Sequence, residues 1–556
     1  MRKQGWRALI AALIAIIILA PVALVVWQSF LSAPFYSARA RPSLAAYHFV
    51  LGDGDFWGAL ANSLLLSASM VAIAVPLGSL LAFLIVRTDL PGRRWVEPAI
   101  FLPLFVSPMV LAFGYIVAAG PVGFISTWWE AHVGPIGWNI YSFVALALVV
   151  GLTHIPHVYI YVSAALRTVP SDLEEAARVA GARPLMVATR VTLPLVWPSI
   201  AVSAVLIFFI GFELFGLPYV LGDPEGRLVL ATYLYKLTSR LGTPSYQLMA
   251  VVVLAIMLFT LPLVLIQRRL LRSVERHATL RGKAARPHLV PLGAWRWVAL
   301  GGIALWLVLV VVVPLAGITF RSFVSSWGAT VTVSDVLTLD NYRALGALRG
   351  VGNSIINTLI IAIPGGLLSV SVYVLIGLAA HRSASWTTRA LDYLVLLPRA
   401  MPGIVAGLVI FWIFLFVPVL KPFVATLATV WLAYTLVWMP FGLRLVANSF
   451  GQVGRELEEA ASVTGAGQAR VARDVVIPLA RHGLAAAWLL TFLLFVREYS
   501  TGIYLLAPGT EVMGAMLVNL WTSGNMAVVS ALSVINTAVI AVGIALALRL
   551  GVRLDA

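Results

Sequence analysis

The chain has 556 residues, of which 61% are hydrophobic and only 11% are charged, and its formal net charge is +16. Soluble globular proteins carry about 25% charged residues, so this chain cannot cover a water-facing surface of its size. A soluble enzyme is therefore excluded, and so is a disordered chain, because disorder needs low hydrophobicity. The absence of cysteine excludes disulfides, thiolate metal sites and cysteine nucleophiles.

A helix needs about 20 apolar residues to cross a bilayer. The apolar segments of this length predict an all-α membrane protein with about twelve transmembrane helices. The segment near the amino terminus is expected to be a retained span, because its apolar run is long and no signal-peptidase pattern follows closely. Helices are expected throughout, since lipid offers no partner for an open backbone. The predicted spans are 8–29, 59–86, 96–118, 140–165, 195–220 and 247–267 in the first half, and 297–320, 354–380, 391–416, 423–446, 484–507 and 527–549 in the second.

The distribution of basic residues favours twelve spans with both termini in the cytoplasm. In that arrangement 27 of the 38 Lys and Arg residues fall on the cytoplasmic side, nine fall outside and two fall within spans. Basic residues concentrate in cytoplasmic loops that face anionic lipid. We therefore predict a multi-pass membrane protein that contacts membrane lipid. No nucleic-acid partner is expected, because no basic stripe with interleaved aromatic residues stands apart from the loops.

A short sequence between the fourth and fifth predicted spans recurs between the tenth and eleventh. Residues 173–182 read LEEAARVAGA and residues 457–466 read LEEAASVTGA. We call the separation of Leu173 from Leu457 the repeat offset, and Pro194 and Pro478 keep it. The chain is therefore predicted to be two parallel six-helix repeats, related by an axis along the membrane normal. The predicted repeats are 1–285, with a cytoplasmic loop near 170–194, and 286–556, with the corresponding loop near 454–478.

Each copy of the repeated sequence is expected to form a short capped helix. The acidic residues of its first turn are favoured by the helix dipole, and Gly181 suits the left-handed conformation that ends a helix. The adjacent alanines leave a smooth surface that another protein can approach closely. A single copy is equally typical of a well-capped connector, but two copies at matched positions favour a docking element.

The pattern E-A-A-x-x-x-G-x9-I-x-L-P resembles the signature of permease subunits of binding-protein-dependent ABC importers. Val191 and Val475 replace its isoleucine, and Ile477 replaces its leucine in the second copy. In that family the segment is the coupling helix that sits in a cleft of the ATPase subunit. The resemblance implies a permease fold like that of type I ABC importers. It assigns ATPase coupling to Glu175, Ala176, Ala177, Gly181, Glu459, Ala460, Ala461 and Gly465.

The whole chain resembles a fused twelve-span permease of the ferric-iron subclass. The stretches that carry this resemblance are FGLPYVLG at 215–222, REYST at 497–501 and LLAPGTE at 505–511. Fused permeases for thiamine or an organophosphonate look similar, so these cargoes remain alternatives. The resemblance implies that one chain supplies both permease halves in the bacterial inner membrane and that a periplasmic substrate-binding protein delivers the cargo.

The chain lacks the means to hydrolyse ATP by itself. None of its four lysines lies in a phosphate-binding G-x-x-x-x-G-K-[ST] loop. ATP and magnesium are therefore expected on a separate ATPase subunit, in two copies because there are two docking loops, and this chain is predicted to be neither an enzyme nor a cofactor binder. A secondary transporter driven by an ion gradient is the less favoured alternative, because it needs no pair of docking loops.

Ionisable side chains within spans are costly and usually functional. The separation of Glu213 from Glu498 exceeds the repeat offset by a single position, so the two glutamates occupy nearly equivalent places in the two repeats. Two carboxylates that face each other across the repeat axis would attract a cation, whereas pairing with arginine inside the bundle is the structural alternative. The predicted translocation path comprises Glu213, Arg399, Arg497 and Glu498.

His154 and His157 are the weak candidates for a metal site. They lie three positions apart and therefore share a helix face. Packing around the kink at Pro156, with hydrogen bonds to neighbouring helices, is the simpler interpretation. An intramembrane enzyme would need a stronger constellation than this pair, so that class is disfavoured.

Overall fold

The computed structural model describes residues 2–239, 245–278, 289–328, 331, 333–382, 394–395, 398, 401, 403–505 and 507–549. Within these ranges the regular structure is helical, and the β-structure consists of three isolated bridges. Eleven helical segments of the described chain are long and apolar enough to cross a membrane, and Gly403–Phe416 is a shorter apolar helix at the position of the remaining predicted span. The predicted class and the approximate number of spans are confirmed.

We number these twelve segments in chain order. Spans 1 to 6 are Ala8–Ser29, Gly54–Arg87, Pro108–His132, Phe143–Thr168, Pro184–Glu213 and Tyr246–Leu271. Spans 7 to 12 are Trp295–Ser322, Val351–Ala380, Gly403–Phe416, Leu427–Gly451, Gln468–Arg497 and Met526–Arg549.

The third predicted span is not one continuous helix. The structure divides it into Arg93–Ile100, Leu102–Phe105 and Pro108–Ala119. Val106 and Ser107 are extended between the last two. The break follows from Pro108, which has no N–H to donate and which disfavours the helical conformation of the residue before it.

The fifth and eleventh predicted spans end earlier than expected, at Glu213 and Arg497. Leu214 and Glu498 are extended at these two helix ends, and they are separated by the repeat offset. The helices Leu193–Glu213 and Ile477–Arg497 keep that offset at both ends. The repeat that is visible in the sequence is therefore also a repeat of helix boundaries.

The first span of each half packs against the last span of its own half and also against helices of the other half. Span 1 packs against span 6 of its own half and also against helices of spans 8 and 9, while span 7 packs against span 12 and span 3. Gly114 allows the contact between spans 3 and 7, because a Cβ there would lie 2.3 Å from the carbonyl oxygen of Pro314. Small residues let helix backbones approach closely in membrane proteins. One apolar core runs through both halves as a result.

Candidate docking surface and transport path

A short helix at Ser171–Val179 lies between spans 4 and 5, and we call it the first EAA helix. Gly181 follows it with a φ of +85°. The Gly181 N–H donates to the Arg178 carbonyl at 2.9 Å, and the Ala182 N–H donates to the Ala177 carbonyl at 3.0 Å. These two bonds form a Schellman motif, which satisfies carbonyls that the helix itself leaves unpaired. The predicted glycine cap is confirmed.

The second EAA helix, Arg455–Val463, lies between spans 10 and 11, and both of its ends keep the repeat offset from the first. Gly465 has a φ of +86°, and its N–H donates to the Ser462 carbonyl at 3.1 Å. The span that follows each EAA helix contains a π-helical turn near its start, Ala188–Thr192 in span 5 and Ala472–Val476 in span 11. The two halves thus repeat the same local structure residue by residue.

Six of the eight residues predicted to dock an ATPase are exposed on the EAA helices or at their glycine caps. Val179 and Val463 expose 90% and 87% of their surface at equivalent positions. A single exposed apolar side chain is ordinary on a protein surface, but here the same residue type is exposed at equivalent positions of both repeats. Of the predicted docking residues, Ala177 and Ala461 are half-buried, and the exposed ones are Glu175, Ala176, Gly181, Glu459, Ala460 and Gly465.

The opposite side of each EAA helix carries a glutamate that the sequence reasoning missed. Glu174 is buried and forms an ion pair with Arg87 at 3.2 Å. Glu458, its equivalent at the repeat offset, is half-buried and pairs with Arg382 at 3.0 Å. The sequence does carry a signal for these residues, because both copies of the motif contain two adjacent glutamates. Adjacent positions of a helix face different directions, so only one glutamate of each pair can face the docking side.

A second internal repeat also went unnoticed. The Asn62 side chain donates to the Leu228 carbonyl at 2.9 Å, and the Asn357 side chain donates to the Gly509 carbonyl at 2.9 Å. The separation of the two asparagines is longer than the repeat offset. The segment from Asn357 to the second EAA helix is therefore shorter than the segment from Asn62 to the first EAA helix. Because of this difference in length, the two asparagines do not align at the repeat offset.

Equivalent residues of the two halves meet at the outer ends of spans 5 and 11, by which we mean the ends opposite the EAA helices. Phe215 and Tyr499 are separated by the repeat offset, and their rings stack with centroids 6.4 Å apart. The Tyr499 hydroxyl accepts a hydrogen bond from the Gly216 N–H at 3.1 Å. Equivalent residues can touch only where the repeat axis passes between them. The axis therefore runs between Phe215 and Tyr499.

The buried carboxylate of Glu498 accepts five hydrogen bonds from protein groups. Its Oε1 accepts from the backbone N–H and the hydroxyl of Ser500 and of Thr501, at 2.9 to 3.1 Å. Its Oε2 accepts from the Trp438 indole at 3.0 Å. Because these bonds hold the chain in a turn, Glu498 lies just after span 11 rather than inside it.

The other predicted path residues are dispersed. The Arg497 guanidinium reaches across the repeat axis and donates to the Leu104 carbonyl of the first half. Glu213 is half-buried at the end of span 5. Arg399 lies outside the described residues. The assignment of these residues to a transport path stays a prediction.

The two histidines of span 4 lie against each other. Their rings stack with centroids 5.3 Å apart, and His154 Nδ1 lies 2.7 Å from the Val150 carbonyl. Among the described residues, no group of three or more His, Cys, Asp or Glu side chains is placed to hold a metal ion. The contacts of His154 and His157 are those expected of helix packing.

Twelve apolar segments arranged as two similar halves, each with an EAA helix, define a permease-type membrane subunit. The chain belongs to the family described as binding-protein-dependent transport system inner membrane component, whose profile matches residues 74–276 and 373–556. It is therefore a multi-pass inner-membrane protein whose transport system depends on a substrate-binding protein.

Two curated relatives match most of the chain. The ferric transport system permease protein FbpB of Actinobacillus pleuropneumoniae is 25% identical over 477 residues, which is 84% of this chain and 68% of the relative. The putative ferric transport system permease protein FbpB 1 of Haemophilus influenzae is 25% identical over 531 residues, which is 92% of this chain and 80% of the relative. A solved bacterial alginate ABC transporter, in complex with its alginate-bound periplasmic protein, contains a chain that is 22% identical with a TM-score of 0.39 and matches 48% of this chain and 94% of its own length.

Proposed function

We propose that this chain forms the whole membrane-spanning part of an importer, and that two copies of an ATPase subunit dock on its two EAA helices. The observation that carries this proposal is the pair of exposed, identically capped helices at equivalent places in the two repeats. ATP and magnesium bind to the partner subunits, and this chain converts their movement into access changes. Both termini and both EAA helices lie in the cytoplasm.

Ferric iron is the proposed cargo. The support comes from the two relatives that match most of the chain and are named as ferric transport permeases. Hard cations favour oxygen ligands. The phenol oxygens of Tyr499 and Tyr504 lie at contacts between the two halves, with Gly216 and Thr238 respectively, and Glu498 directly precedes Tyr499 in the sequence. Thiamine and organophosphonates remain the alternative cargoes for the same class of importer.

The contact between Phe215 and Tyr499 is the proposed outer gate. With the outer ends of spans 5 and 11 together, the path is closed towards the binding protein. Closure of the ATPase pair would push the EAA helices together and separate these ends, so that cargo enters. ATP hydrolysis then returns the protein to the state with the outer ends in contact.

Reconstitution tests this function. The chain is purified with its candidate ATPase and placed in liposomes, and ATP hydrolysis and iron uptake are measured with ferric-loaded binding protein outside. We expect uptake that requires ATP and a stimulation of hydrolysis by the loaded binding protein. Uptake that follows an ion gradient without nucleotide would refute the importer, whereas ATP-dependent stimulation by a thiamine- or phosphonate-loaded binding protein alone would refute only the cargo.

A pair of substitutions tests the docking surface itself. Val179→Asp with Val463→Asp places charge on both exposed apolar positions and is expected to abolish co-purification of the ATPase. The matched control is Val133→Asp with Val419→Asp, since these valines are 57% and 80% exposed at the other side of the predicted membrane. Equal loss in both double variants, or ATPase binding that survives in the first, would contradict the docking assignment.

The orientation is testable because the chain has no cysteine of its own. Val179→Cys and Val419→Cys each introduce one exposed thiol, on opposite sides of the predicted membrane. In intact spheroplasts a membrane-impermeant maleimide is expected to label the second and not the first. The reverse labelling would place the EAA helices outside the cell.

A further inference from the structure

The ion pairs Arg87–Glu174 and Arg382–Glu458, on the inward-facing sides of the EAA helices, occupy equivalent places in the two repeats. Arg87 donates to Glu174 at 3.2 Å and to the Val169 carbonyl at 3.2 Å. Arg382 donates to Glu458 at 3.0 Å and to the Val453 carbonyl at 3.0 Å. Glu174 and Glu458 are separated by the repeat offset, and so are Val169 and Val453. Arg87 and Arg382 are separated by the same longer distance in sequence as Asn62 and Asn357. One arrangement of arginine, carbonyl and glutamate thus occurs twice.

Each arrangement joins elements that are far apart in sequence. Arg87 is the last residue of span 2, and its guanidinium also donates to the Leu166 carbonyl at the end of span 4 at 2.8 Å. The second oxygen of Glu174 accepts a hydrogen bond from the Thr192 hydroxyl at 2.7 Å, and Thr192 ends the π-helical turn near the start of span 5. A single carboxylate and guanidinium therefore connect spans 2, 4 and 5 to the first EAA helix.

Glu174 and Glu175 are adjacent positions of one helical turn, so their side chains point in directions about 100° apart. Glu175 is exposed on the proposed docking side, whereas Glu174 is buried against span 2. Burying two opposite charges often gains no stability over an apolar pair of similar size, but charge-assisted hydrogen bonds fix a geometry that apolar contacts leave free to slide. A charged pair at this position is suited to carrying displacement from the docking side into the spans.

We propose that Arg87 with Glu174, and Arg382 with Glu458, are positioning residues that transmit the movement of each EAA helix to the cytoplasmic ends of spans 2 and 8. This inference rests on the proposed function, because it requires ATPase subunits that move the EAA helices. It adds residues of this chain that do not touch the ATPase and yet determine whether hydrolysis drives transport.

The two connections are unequal. The side chains of Arg87 and Glu174 are 2% and 7% exposed, whereas those of Arg382 and Glu458 are 41% and 14% exposed. Thr192 corresponds to Val476 in the second repeat, so the hydroxyl donor is missing there, and His381 lies 3.0 Å from Glu458 instead. Water screens exposed ion pairs, so the first connection is the stiffer one. We expect its loss to have the larger effect on coupling.

The experiment uses the complete reconstituted complex with its binding protein. Glu174→Gln removes the buried charge, Glu458→Gln removes its counterpart, and Asp55→Asn is the matched control because it removes the carboxylate of the ion pair with Lys236, at the other side of the predicted membrane. ATPase co-purification, basal hydrolysis, stimulation by loaded binding protein and cargo moved per ATP are measured for each variant.

We expect all three variants to retain the ATPase subunits. Glu174→Gln should lower cargo moved per ATP about tenfold, Glu458→Gln should lower it two- to threefold, and Asp55→Asn should leave it unchanged. The inverted pair Arg87→Glu with Glu174→Arg should recover part of the loss. Full coupling in Glu174→Gln, or loss of uptake only in proportion to lost ATPase binding, would overturn the proposal.

A milder variant keeps the test decisive if Glu174→Gln fails to accumulate in the membrane. Thr192→Val gives the first repeat the residue of the second and removes only the hydroxyl bond to Glu174. Its coupling should fall two- to threefold with ATPase binding intact, and unchanged coupling would refute the proposal. Failure of the wild-type complex to bind an ATPase or to use ATP would refute the proposed function instead.

Discussion

The glycine caps of the EAA helices allow a quantitative test of the docking surface. Gly181 and Gly465 have φ values of +85° and +86°, and a Cβ at either position would meet no atom within 4 Å. Alanine therefore introduces backbone strain without a clash. The strain of an L-residue in the left-handed conformation is about 1–2 kcal/mol. Such a cost lowers the ratio of capped to uncapped helix about 5- to 30-fold.

We expect Gly181→Ala with Gly465→Ala to reduce ATP-dependent uptake at least fivefold and to weaken ATPase binding, as measured by titration of the ATPase against the permease in nanodiscs. Asparagine tolerates the left-handed conformation better than alanine does, so Gly181→Asn with Gly465→Asn should be less impaired. The control is Gly226→Ala with Gly524→Ala, whose φ values are +71° and +77° with equally open space. ATPase binding of wild-type strength in the first alanine variant, or equal impairment of the control, would refute the reasoning.

Three further predictions concern the outer ends and the second EAA helix. Glu498→Gln should lower uptake while ATPase binding persists, because an amide nitrogen cannot accept the bonds that the carboxylate accepts; normal uptake would contradict a role in the path. Tyr499→Phe leaves the buried Gly216 N–H without its acceptor, at a cost of about 1–3 kcal/mol, and should raise ATP hydrolysis measured without binding protein; an unchanged rate would contradict the gate. Desolvation raises the pKa of Glu458, but hydrogen bonds from His381 and Arg382 outweigh it and hold that pKa below its usual value. The ion pair of Glu458 should therefore persist from pH 7 to pH 5 and break only as the pH falls through the lowered pKa. We expect cargo moved per ATP to be the same at pH 7 and pH 5. A decrease at pH 5 in the wild type that is absent from Glu458→Gln would contradict this expectation.

Much of the architecture could be predicted because lipid imposes strong local rules. The approximate number of spans follows from the number of apolar segments that are long enough to cross a bilayer. The caps could be predicted because a glycine recurs at the same position after both EAA helices. Predictions failed where side chains compete with helical hydrogen bonds. Span 11 ends before Glu498 because that carboxylate binds the following N–H groups, and the third predicted helix breaks before Pro108.

The class of protein, the duplication and the two EAA helices could all be inferred from the order of the amino acids, since they depend on composition and on patterns within a few positions. The contacts between distant segments of the chain became visible only in the tertiary structure. Packing brought Arg87 to Glu174, and Phe215 to Tyr499, across separations that no local pattern records. The difference arises because helix formation is a local property of the chain, whereas the partner of a buried charge is chosen by how the helices pack.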